Sequence, residues 1–118
     1  LRGVFHADAE GRYVFRTIKP SSYPIPHDGP VGRMLMAMGR DPYRPAHIHF
    51  IVSAASHKPV TTELFVEGDP YLDSDAVFGV RESLVVPFVR HTSADEAARL
   101  NVSAPFYTVD YDFVLEPA

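Results

Sequence analysis

Between residues 19 and 30 the chain carries Pro20, Pro24, Pro26, Gly29 and Pro30, and this stretch limits its fold more than any other. Proline has no N–H to donate and a fixed φ, so neither a helix interior nor a central strand can run through the segment. It reads as a rigid loop, with regular structure on either side. Upstream, residues 1–7 and 13–18 read as extended arms around Asp8-Ala9-Glu10-Gly11-Arg12, whose glycine suits a short hairpin loop. Downstream, Pro30 fits the first turn of a short helix with Met34, Leu35 and Met38 on one apolar face and Gly39 as its stop.

After a turn at residues 40–45 comes the most strand-like run, Ala46-His47-Ile48-His49-Phe50-Ile51-Val52, with residues 61–66 as its continuation partner. Residues 68–75 are turn-rich and acidic, and residues 83–89 are β-branched enough for a further strand. Ser93 and Glu96 have capping-box spacing, which predicts a helix over 94–100 closed by Asn101. Val109, Tyr111, Phe113 and Leu115 alternate with Thr108, Asp110 and Asp112, the pattern of a half-buried antiparallel strand. Roughly six strands with short connections predict an all-β fold, a β-sandwich of mostly antiparallel strands with two short helices.

At 118 residues the chain is the length of one domain, so residues 1–118 are expected to form a single unit. Leu1-Arg2-Gly3-Val4-Phe5 reads as a strand already under way, which predicts a preceding segment and makes this chain part of a longer protein. With no cysteine, disulfides, thiolate metal sites and cysteine nucleophiles are excluded, and any metal must take O and N donors. A formal net charge of -4 gives no basic surface for nucleic acid or an anionic membrane. No apolar run approaches the roughly 20 residues of a membrane-spanning helix, so a cytoplasmic location is expected.

His47 and His49 are one residue apart in a strand, so their side chains leave the same face and could share one ion. A bare pair of this kind is as compatible with a surface role as with a metal site. Arg44 alone would pass for a surface salt bridge, Glu63 for an exposed strand residue, and Ile25 and Val77 for core. The aspartates 69, 73 and 75 lack the oxygen spacing of a calcium loop and are read as turn and capping residues. His6, His27, His57 and His91 attract no role. Cupins also present His-x-His from a strand, but they usually follow it with a glutamate a few residues on, and here no carboxylate appears before Glu63.

Taken together, the ordered set of motifs resembles the intradiol ring-cleavage dioxygenases along essentially the whole chain. It comprises Leu1-Arg2-Gly3, Gly11-x-Tyr13, Tyr23-Pro24-Ile25-Pro26, Gly39-Arg40, Arg44-Pro45-Ala46-His47-x-His49, Thr61-Thr62, Gly68-Asp69-Pro70-Tyr71-Leu72 and Asp75-Ala76-Val77-Phe78-Gly79. The Tyr-Pro-Ile-Pro and Asp-Ala-Val-Phe-Gly-Val segments look most similar to the hydroxyquinol branch. The resemblance implies a non-haem Fe(III) held by tyrosinates and histidines, with Tyr23, His47 and His49 in ligand positions. The family's other tyrosine falls upstream of residue 1, and no residue of this chain takes its place. It implies a small aromatic ortho-diol and O2 as substrates, opened to a maleylacetate or muconate product. Arg44 and Tyr23 would be catalytic, Arg44 facing the substrate, Ile25, Pro26 and Val77 would line its ring, and Glu63, also expected to contact the substrate, stands where many catechol relatives carry glutamine. Dimerisation in the family uses an N-terminal helical segment, so a homodimer is an expectation for the full-length protein. The competing expectation is a non-catalytic β-sandwich module that keeps the fold and part of the metal site.

Overall fold

The computed structural model describes residues 1–118. Its strands are β1 (Tyr23–Pro24), β2 (Tyr43–Arg44), β3 (His47–Val52), β4 (Val60–Val66), β5 (Val85–Val86), β6 (Val89–His91) and β7 (Phe106–Thr108). Its helices are α1 (Pro30–Ala37) and α2 (Ala94–Arg99). The strands make three small sheets: β1 against β2, the order β3-β4-β5, and β6 against β7. β5 runs parallel to β4, and the other pairings are antiparallel.

The β3–β4 hairpin is the spine of the molecule. Its register runs from His47 opposite Phe65 to Val52 opposite Val60. β4 carries three consecutive buried residues, Leu64, Phe65 and Val66, because it lies between β3 and β5. β3 is two-sided. Ile48, Phe50 and Val52 are half-buried, and the Phe50 ring packs 4.9 Å from Phe113 and 5.9 Å from Phe15. The alternate residues, His47 and His49, therefore emerge on the opposite face.

Only 12 of the 118 residues are buried, and the radius of gyration of 17.2 Å exceeds the roughly 13–14 Å of a compact chain this long. The fold is a flattened layer, 50 × 43 × 24 Å, whose core is concentrated under β4 and β5.

Several sequence expectations hold in detail. α1 begins with proline in its first turn and ends in a Schellman arrangement, in which Gly39 N–H donates to the Met36 carbonyl and Arg40 N–H to that of Leu35. Gly39 takes φ +63°, the left-handed conformation the motif needs. α2 is capped by Ser93, whose hydroxyl accepts from Glu96 N–H.

Four expectations are corrected. On α1, Leu35 is buried but Met34 and Met38 are exposed, because no element covers the rest of that face. The proline-rich loop is interrupted by β1, a two-residue edge strand, which is where a sheet tolerates proline. The strand expected over 83–89 is split into a 3-10 turn (Glu82–Leu84), β5 and the start of β6, since Pro87 has no N–H to continue a ladder. The arms 1–7 and 13–18, and residues 109–115, are extended but form no ladder of their own. Their sidedness is nevertheless as expected: Val109, Tyr111, Phe113 and Leu115 are half-buried, whereas Asp110 and Asp112 are exposed.

Candidate metal centre

The two-residue period of β3 brings His47 and His49 to one face, with ring centroids 5.0 Å apart. The β3–β4 register sets Glu63 directly opposite His49, so its carboxylate reaches the same face. Glu63 Oε2 lies 3.1 Å from His47 Nε2 and 3.5 Å from His49 Nε2. One donor atom from each of these three side chains falls within 4.8 Å of the others.

His47 is oriented from behind. Its Nδ1 is 2.7 Å from the Pro45 carbonyl, which can only accept, so the ring proton sits on Nδ1 and Nε2 is left as an acceptor beside the Glu63 carboxylate. The short β2 strand supplies the next element. It pairs Arg44 with Tyr23 of β1, and this pairing brings the Tyr23 ring to 5.6 Å from the His47 ring, centroid to centroid. His47 is almost wholly buried, whereas the His49 side chain is 62% exposed, so the cluster opens to solvent on the His49 side.

Arg44 is buried and held on three sides. Its Nε donates to Asp75 Oδ1 at 3.0 Å, one terminal nitrogen to both Asp75 Oδ2 and Glu63 Oε1, and the other to His47 Nε2 at 3.3 Å. Burial works against its charge, but the two carboxylates more than offset this, and the guanidinium is held above its usual value. Asp75 is buried too. Burial pushes its carboxyl up, and Arg44 together with the N–H groups of Gly79 and Val77 outweighs that, leaving it below the ordinary carboxylate range.

Sequence reasoning gave Asp75 a turn and capping role and missed that it is also the anchor of Arg44. Gly79 was missed as well: a Cβ there would come within 2.8 Å of the Arg44 guanidinium and 3.1 Å of both carboxylates. The legible signal was Asp75 and Gly79 four residues apart around a turn, but only the fold brings that turn beneath Arg44. Asp69 does cap, accepting from the Ala46 and Tyr71 N–H groups.

The other expected site residues are placed less tightly. Ile25, two residues after Tyr23, is half-buried and donates its N–H to Pro42, while Pro26 and Val77 are exposed. A cavity of about 680 Å³ opens nearby between Arg40, Asp73, Asp75, Phe78 and Arg81. It is lined by neither histidine nor Tyr23, and its mixture of opposite charges with few apolar walls is a poor seat for a flat ring. The candidate metal centre is thus defined by donor atoms, not by this hollow. The remaining histidines keep to local bonds, His27 with the Ile25 carbonyl, His57 with that of Ala55, and His91 with Thr108 and Glu96.

The family model described as dioxygenase matches residues 1–117. A hydroxyquinol 1,2-dioxygenase of Rhizobium sp. (strain MTP-10005) is 55% identical over 116 residues, covering 98% of this chain and 39% of the relative. A catechol 1,2-dioxygenase of Acinetobacter baylyi is 42% identical over 115 residues, covering 98% of this chain and 37% of the relative. Among solved structures, mercury-inhibited catechol 1,2-dioxygenase from Acinetobacter sp. ADP1 superposes with a TM-score of 0.88 at 41% identity, over 93% of this chain and 36% of that one. Hydroxyquinol 1,2-dioxygenase from Pseudomonas putida DLL-E4 gives 0.85 at 45% identity, over 95% and 40%. The chain spans about two fifths of the length of these relatives.

Proposed function

The chain belongs to the intradiol ring-cleavage dioxygenases, and from that premise we propose that it carries the metal- and substrate-binding part of an enzyme that opens an aromatic ortho-diol with O2. Hydroxyquinol is the first choice of substrate and catechol the second, following the relatives' order of identity. The bond broken lies between the two hydroxyl-bearing carbons, and the product is maleylacetate or a muconate. The observation that carries the reading is the convergence of the His47 and His49 rings, the Tyr23 ring and a buried, fully charged Arg44 on one face of β3.

The donor set fits non-haem Fe(III). Tyr23, His47 and His49 would hold it, an anionic phenolate favouring the ferric state and neutral imidazoles adding no charge. His47 keeps its proton on Nδ1, so Nε2 is the donor atom it would turn from Arg44 to a metal, and the unpartnered Glu63 oxygen beside it gives the site the negative character a trivalent ion needs. Ferric iron held by these residues would supply Lewis acidity toward a diol bound beside it.

The chain's own residues supply the rest. Arg44 places a permanent positive charge beside His47, where it stabilises negative charge developing on the substrate ring, and Asp75 and Glu63 prevent it from swinging away. Ile25, Pro26 and Val77 offer apolar edges to the ring. The strands are the layers of a β-sandwich, residues 1–118 act as one catalytic domain, and the full-length protein works in the cytoplasm, as a homodimer. The structure has no helix long and apolar enough to cross a membrane.

The test is oxygen uptake by the iron-loaded full-length protein with hydroxyquinol and with catechol, alongside elemental analysis of His47→Ala. One O2 consumed per diol, a ring-opened diacid, and loss of both iron and uptake in the variant are expected. Iron-loaded protein that consumes no O2 with either diol would overturn the reading.

A further inference from the structure

We infer that Glu63 is itself a metal ligand, so that His47, His49 and Glu63 form a two-histidine, one-carboxylate set within the centre described above. The inference rests on that reading only in sharing its two histidines.

Three observations carry it. Glu63 Oε2 is buried and has no hydrogen-bond partner, although its sister oxygen is satisfied by Arg44 at 3.0 Å. A buried carboxylate oxygen without a donor is costly and uncommon, and it calls for an occupant that supplies positive charge. The nearest polar atom, His47 Nε2 at 3.1 Å, does not fill that role. The Nδ1 proton of His47 goes to Pro45, and an N–H at Nε2 would point against the Arg44 N–H that approaches it at 3.3 Å. The His47 Nε2 lone pair is taken by the Arg44 N–H, and no proton from either imidazole reaches Oε2.

The two separations that involve Glu63 are those of donors on one ion, and the two imidazole nitrogens, within 4.8 Å of each other, close onto the same ion by rotation of the exposed His49 ring. With metal–donor bonds of about 2.0–2.2 Å, adjacent donors stand roughly 3.0 Å apart at right angles and roughly 3.4 Å apart at the tetrahedral angle. Glu63 Oε2 is 3.1 Å and 3.5 Å from the two imidazole nitrogens. Exposure of the His49 side chain leaves an entry path, and Arg44 on the other carboxylate oxygen holds Oε2 in place as an outer partner does. Two neutral imidazoles and one carboxylate suit a divalent first-row ion such as Co2+ or Zn2+, and a hard anionic oxygen is equally suited to Fe(III). A glutamine at position 63 would leave the centre one negative charge poorer.

The probe is Co2+ alone, titrated into metal-free full-length protein and followed by its visible absorption. Wild type should bind one Co2+ per chain, E63Q should bind it more than about a hundredfold more weakly, beyond what loss of an outer partner costs, and His47→Ala should not bind it at this centre. Equal affinity in wild type and E63Q, with His47→Ala still defective, overturns the ligand role of Glu63 and leaves the Tyr23, His47 and His49 reading standing. Equal affinity in all three proteins overturns both. A crystal of wild type soaked in Co2+ decides the matter even if E63Q fails to fold. An anomalous peak about 2.2 Å from Oε2 supports the inference, and a peak on His47 and His49 with Oε2 out of bonding range ends it.

Discussion

The molecule contains two hairpins built from similar residues, and only one of them forms a ladder. β3 and β4 pair over their whole length across a connection at residues 53–59, and β4 gains a third neighbour in β5. Residues 1–18 reverse just as sharply. Asp8 N–H donates to the Arg12 carbonyl, Asp8 Oδ1 accepts from the Glu10 and Arg12 N–H groups, and Gly11 sits at φ +79°. Phe5 stacks on Phe15 at 4.9 Å, yet the arms are largely exposed and form no ladder. Turn chemistry makes the reversal, but a two-stranded pairing becomes stable only with a third strand or a covered face. The candidate metal centre stands on the hairpin that has both.

The sharpest way to break this contrast is to empty the core beneath the supported hairpin. Phe65 is fully buried in β4, opposite His47. Phe65→Ala should cost about 4 kcal/mol of unfolding free energy and loosen the metal site with it, as denaturant titration and iron content would show. A loss comparable to that of a surface substitution would mean that β4 is not the organising strand.

Next in size is Asp75→Asn. It leaves Arg44 buried with one carboxylate instead of two, and should cost about 3 kcal/mol. The sign of its pH dependence follows from the depressed carboxyl value. The stabilisation by Asp75 is complete above the unfolded carboxyl value of about 3.9 and is lost as pH falls through the lower folded value. Wild type should therefore lose stability across that acid range more steeply than Asp75→Asn. Parallel acid limbs in the two proteins would show that Asp75 does not anchor Arg44 in solution.

The same contrast explains what the sequence made legible. Local signals survived: proline at the start of α1, the left-handed Gly39, the Ser93 cap, and the alternation that sends His47 and His49 to one face. Whether an extended run finds a partner was not legible, because pairing of residues 1–7, 13–18 and 109–115 depends on what lies over them and not on their own propensity. Tyr23, Arg44, His47 and His49 could be picked out as candidates from their motifs. The role of Asp75 could not, because it arises from a contact 31 residues away in the chain. Glu63 reaches the histidines only through the β3–β4 register, and a shift by one residue would have turned it to the other face.

The smallest predicted effect sharpens the comparison most cleanly. Nothing lies within 4 Å of a Cβ built on Gly11, so Gly11→Ala introduces no clash and changes only the cost of a left-handed φ, about 1 kcal/mol. If the first hairpin opens independently of the core, that cost is confined to it. Amide exchange at Asp8 and Arg12 should then accelerate about fivefold, while the amides of β3 and β4 keep their protection. Acceleration spread equally over β3 and β4 would show that the two hairpins open together, and that the reversal at Asp8, for all its exposure, is part of what holds the strands carrying His47, His49 and Glu63 in place.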